Sequence, residues 1–146
     1  MRSVNSRLEV RRAAIPAAGG IMSARAIARH YAALIGQGVD GIRLLSPERM
    51  AIATALQTAA VDAVLGFPAG KALGYWIGGP GDVMGERRTA FDHGGFGGSI
   101  GFADPEYGLA VGFTKTLAEP SLVAAGRVAQ RVREALNIPA AGPTSA

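Results

Sequence analysis

A chain of 146 residues, 49% hydrophobic but only 6% aromatic, has the size of one domain and must build its core from many small side chains and few rings. Its mean hydropathy of +0.22 speaks against a disordered tail, and the lack of cysteine excludes disulfides, thiolate metal sites and a cysteine nucleophile. The net charge of +4 raises nucleic-acid binding, but the basic residues, all but two of them arginine, are scattered through the chain instead of clustered among aromatic readers, and no apolar run approaches the roughly 18 residues of a membrane span.

Residues 1–20 show no sustained period and close on Pro16-Ala17-Ala18-Gly19-Gly20, so they read as a lead-in segment and loop. Their start is basic, yet Glu9, Arg11 and Arg12 interrupt any apolar signal core; a cytoplasmic, soluble protein is the expectation. Ser23 then offers a helix cap, and Ile27, Tyr31, Leu34 and Ile35 recur at helical spacing until Gly36 to Gly38. Ser46-Pro47-Glu48 supplies a second cap, a first-turn proline and an acid near the positive end of the helix dipole, which predicts a helix to about Ala60. Gly66-Phe67-Pro68-Ala69-Gly70-Lys71 has neither the spacing nor the following hydroxyl of a phosphate loop, and Ala72 to Ile77 has the aromatic content of a strand.

Residues 92–116 hold the most informative stretch. Asp104-Pro105-Glu106-Tyr107-Gly108 is a turn between two runs that alternate apolar and small residues, so a β-hairpin is predicted there. Gly94, Gly95, Gly97, Gly98, Gly101 and Gly112 are too dense for a strand chosen only for packing. Something must pass close to this backbone, either a ligand or a helix that needs small residues beneath it. From about Pro120 to Leu136 a last helix is predicted, with Leu122, Val123, Val128, Val132 and Leu136 as its apolar face and Arg127, Arg131, Arg133 and Glu134 wet; residues 138–146 read as a frayed tail.

His93-Gly94-Gly95-Phe96-Gly97-Gly98 and the hairpin after it resemble the third-motif strand of the class C β-lactamase-like serine hydrolases, a group that includes family VIII esterases and penicillin-binding-protein-like enzymes. Ile15 to Arg29 and Leu44 to Glu48 are similar to segments that precede that motif in the same family. The resemblance covers the family's C-terminal part, here residues 21–137. It implies an α+β fold, with an antiparallel sheet of about three strands, two N-terminal helices and a C-terminal helix packed on it. It also implies that His93, Gly94 and Gly95 stand at the Lys-Thr-Gly-type positions and that the Phe96 backbone N–H is one oxyanion donor. Histidine is a weaker anchor for a substrate carboxylate than lysine, which favours neutral acyl esters over lactams.

The family's nucleophile and base motifs do not occur in this sequence. No serine has a lysine three residues on, and none of Tyr31, Tyr75 and Tyr107 has an asparagine two residues on. A chain that supplies a substrate-facing strand but is inactive alone follows from the resemblance, needing no cofactor or metal. Its expected partners are an N-terminal half in trans, a second copy through an open sheet edge, or a small acyl ester once the cleft is complete. The alternative is a non-catalytic interaction module that pairs through that edge. Two histidines far apart, His30 and His93, make no metal site.

Overall fold

The computed structural model describes residues 6–17 and 19–140. Four helices, α1 (Leu8–Arg12), α2 (Ala24–Ala32), α3 (Pro47–Thr54) and α4 (Val123–Ala135), surround four strands, β1 (Trp76–Ile77), β2 (Phe91–Gly94), β3 (Ile100–Asp104) and β4 (Leu109–Phe113). The strands form one antiparallel sheet in the order β1-β2-β3-β4. The α+β class holds, with one strand more than the sequence suggested. Phe91–Gly94 is a strand of its own because Gly98, at φ 83°, reverses the chain directly after it.

Alternation along the strands sends two residue sets to opposite faces. Phe91, Ala103 and Ala110 meet Tyr31, Leu34, Ile35 and Met50 from the α2 and α3 side, with Tyr75 packed edge-on against Phe91 at 5.0 Å. Phe102, Val111 and Leu109 meet Met84, Ala90 and Ala129 from the α4 side. The sheet is thus covered by helices on both faces.

The glycine question resolves differently at different positions. A Cβ on Gly112 would lie 2.2 Å from the Ala24 carbonyl oxygen and 2.7 Å from the Ala28 nitrogen, and one on Gly101 would lie 2.4 Å from both Ile27 and Tyr31. Those two glycines seat α2 on the sheet. They are not there for a ligand.

Other expectations need correction. The lead-in segment contains α1, a five-residue helix with no buried residue. Helix α3 is capped by Ser46 as predicted but stops at Thr54, because Ala55 turns extended (ψ 126°) and the chain enters an irregular hairpin. In that hairpin Lys71 N–H donates to Thr58 O at 2.8 Å and Asp62 N–H to Phe67 O at 3.0 Å. Helix α4 buries Ala125, Ala129 and Arg133, while Leu122, Val123, Val128 and Leu136 are exposed. Of the alanines, Ala129 packs with Met84, Ala90 and Phe102, and Arg133 reaches inward to donate to the Val83 carbonyl at 3.0 Å. Ile138 is buried, and residues 141–146 of the expected frayed tail lie outside the described residues.

Candidate functional site

The four residues singled out in the sequence, His93, Gly94, Gly95 and Phe96, run consecutively off the end of β2 along one wall of a groove of about 990 Å³. Gly95 N–H donates to Ser99 O at 2.8 Å and Gly98 N–H to Gly95 O at 2.9 Å, so Phe96-Gly97-Gly98 is a three-residue hairpin loop closed by a left-handed glycine. Phe96 opens that loop; its side chain is 91% exposed and its N–H has no hydrogen-bond partner among the described residues. A bond from Glu119 N–H to Gly97 O at 3.2 Å ties the loop to the segment that carries Pro120, Ser121 and Leu122 along the groove.

On its other side β2 pairs with β1 only at Phe91 and Asp92, whereas pairing with β3 continues through Gly94. The ladder alternates, and Gly95 faces β3, so the Gly94 N–H and C=O point outward past the end of β1. From His93 onward the β2 edge is therefore open among the described residues. The His93 ring is exposed, with Nδ1 2.9 Å from Gly94 O. A carbonyl only accepts, so in this contact Nδ1 carries the proton and donates.

Within this strand stands one residue that the sequence reading did not single out. Asp92 is 4% exposed and lines the groove, and its carboxyl makes no hydrogen bond with any described residue. Burial, and next the charge of Asp82, push its carboxyl up to about 8. Burial likewise raises Asp82, whose carboxylate accepts the Met84 N–H at 3.0 Å and which the Arg133 cation pulls part of the way back. An acid between Phe91 and His93 at the head of the glycine-rich run was the available signal. Only the fold brings Asp82 beside it.

The native chain holds the Asp92 proton up to about pH 8, whereas the unfolded chain releases it near the ordinary value of about 3.9. Stability therefore falls as pH rises between those limits and levels off above them. In urea unfolding, Asp92→Asn is expected to match the native chain near pH 4 and to exceed it by about 1–3 kcal/mol above pH 8. A variant that is less stable at both ends of the range would show that the carboxyl is structurally required. Asp62 acts in the opposite sense and in another window. Its hydrogen bond to Lys71 holds it down at about 2, so its contribution is lost only on acidification below the ordinary carboxylate range.

The sequence matches the family described as Beta-lactamase over residues 2–134. It is 44% identical over 100 residues to the esterase/β-lactamase LipL of Mycobacterium tuberculosis, an alignment that takes in 67% of this chain and 22% of LipL. In structure it is similar to EstA from Arthrobacter nitroguajacolicus Rue61a, with a TM-score of 0.81 and 31% identity over 91% of this chain and 37% of EstA. It is also similar to a penicillin-binding-protein homologue from Caulobacter crescentus, with a TM-score of 0.69 and 30% identity over 80% of this chain and 32% of that one. The chain spans about a fifth to two fifths of the length of these relatives. No helix among the described residues is long and apolar enough to cross a membrane.

Proposed function

The chain belongs to the β-lactamase family, and from that premise we propose that it presents the third-motif strand of an esterase-like serine hydrolase and is inactive on its own. The observation that carries the reading is the open edge of β2, where an unbonded Phe96 N–H stands at the rim of a groove beside His93. An ester carbonyl laid along that edge would find in Phe96 N–H one of the donors an oxyanion needs, a contribution of about 3–4 kcal/mol where such a donor has been removed from an enzyme. A donor stabilises charge only after a nucleophile has attacked, and the Ser-x-x-Lys and Tyr-x-Asn motifs are not in this sequence. His93 places an imidazole where the family pattern has an ammonium, which suits a neutral acyl ester.

A second reading rests on a different edge. Among the described residues β4 pairs only with β3, so Leu109–Phe113 offers an outer row of N–H and C=O groups to another strand. That strand would come from the remainder of such a hydrolase in trans or from a second copy of this chain.

One experiment separates the readings. The chain alone is expected to hydrolyse a p-nitrophenyl ester no faster than buffer, and co-expression with the part of EstA that it does not cover is expected to restore turnover. Loss of that turnover in Phe96→Pro, which removes the N–H, would tie it to this donor. If the pair forms without turnover, or light scattering shows stable dimers that the EstA segment does not dissolve, the chain is an interaction module.

A further inference from the structure

The groove has a feature that the open strand edge does not use. We propose that Asp92, in a groove that Asp82 also lines, binds the primary ammonium group of a small organic amine whose apolar body lies along Phe67, Trp76 and Leu122.

Asp92 is 96% buried by its 4% exposure and lines the groove, and its carboxyl has no hydrogen-bond partner among the described residues. No side-chain oxygen among the described residues is both fully buried and unpaired, so the Asp92 carboxyl uses its small remaining exposure to face the groove, where a donor can reach it. The chain's own cations do not complete it. Lys71 is held by Asp62, and Arg133 is committed to the Val83 carbonyl. Arg88 lines the groove but is exposed and forms no ion pair with Asp92 among the described residues.

The donor set decides the class of ligand. No third His, Asp or Glu joins the two carboxyls in a metal-holding group among the described residues, and a hard divalent cation wants about six oxygens. An ammonium needs no such shell: its N–H groups only donate, and the Asp92 carboxyl, with Asp82 in the same lining, supplies acceptors for them. The walls suit its organic part: Phe67 and Trp76 lie 6.4 Å apart by ring centroids, with Leu65, Pro68 and Leu122 around them. At about 990 Å³ the groove falls in the size range of small-molecule sites. The inference holds whether or not the neighbouring strand serves a serine nucleophile.

The test is a titration of the full ¹⁵N-labelled chain with phenethylammonium and, separately, with its neutral counterpart 2-phenylethanol, following the Asp92 to Phe96 amides and the Trp76 indole. The amine is expected to bind at least about tenfold more tightly than the alcohol. Asp92→Asn should bring the amine to the level of the alcohol and leave the alcohol unchanged, while Asp82→Asn should weaken the amine less. Calorimetry of the native chain in two buffers of different ionisation enthalpy gives a readout free of mutation. Near pH 7 the amine should release close to one proton as Asp92 ionises, and the alcohol none. The surrounding charged or titratable groups, Asp82, His93, Tyr31, Arg88 and Arg133, are the same for both probes. Equal affinity for the two probes, an ammonium preference that survives Asp92→Asn, or binding without proton release would each overturn the proposal. The absence of saturable shifts would do so as well.

Discussion

Arg87→Ala is expected to lower the thermal midpoint by on the order of 10 °C, the effect of losing about 3–5 kcal/mol in a domain of this size. Arg87 is 1% exposed and Asp104, to which its Nε donates at 2.5 Å, is 2% exposed. Its Nη2 reaches Glu106 at 2.5 Å, and its guanidinium lies 4.4 Å from the centre of the Tyr107 ring. Burial alone would lower the arginine pKa, but the hydrogen bond and charge of Asp104 more than reverse that, so the cation is held. Removing it leaves a buried carboxylate without its counter-ion, which is the costly half of such an exchange. The loss should also loosen the β3–β4 turn, because Asp104 accepts the Glu106 N–H at 3.2 Å and the Thr89 hydroxyl at 2.9 Å. The double variant Arg87→Met with Asp104→Leu should recover part of the loss, since no charge is then stranded, but not all, since the turn contacts are gone. Circular dichroism melts of the three variants check this; equal melting of Arg87→Ala and the native chain would show that the ion pair contributes nothing net.

Gly112→Ala should cost about 3 kcal/mol in urea unfolding, at the upper end of ordinary overpacking. In an unconstrained strand the same change would stabilise by about 0.4–1 kcal/mol, because alanine restricts the unfolded chain more than glycine does. The sign reverses because the new methyl would meet α2 backbone atoms, Ala24 O at 2.2 Å and Ala28 N at 2.7 Å. Nothing short of moving the helix relieves that contact. Gly101→Ala meets side chains instead, Ile27 and Tyr31 at 2.4 Å. Part of its cost should return when Ile27 is cut to alanine. The same truncation should not rescue Gly112→Ala, and a rescue there would mean that α2 slides easily on the sheet.

Much of the local structure was legible before any coordinates. Ser23 and Ser46 cap their helices with hydrogen bonds to Ala26 N–H and Arg49 N–H, because capping is decided by neighbours three residues away. The Asp104 to Gly108 turn formed for the same reason, with Tyr107 N–H donating to Asp104 O. Helix α3 was read too long because propensity has no knowledge of the Thr58–Lys71 bridge that draws the chain away. The buried face of α4 was misassigned because hydrophobicity favours valine and leucine, whereas the face turned inward carries Ala125, Ala129 and Arg133.

The sequence by itself determined the family, the run His93 to Phe96 and the want of a Ser-x-x-Lys serine, since each is a matter of residue order along the chain. Tertiary structure alone decided what the glycines are for, with Gly101 and Gly112 spent on helix α2 and the strand end at Gly94 and Gly95 left open. It alone brought Asp82 to Asp92, Arg87 to Asp104 and Arg133 to Val83. Those pairings join residues 10 to 50 positions apart, as in Asp82 with Asp92 and Arg133 with Val83. A charge in a sequence shows its sign and its spacing, but whether it is buried, and beside what, depends on how the chain folds back over the sheet.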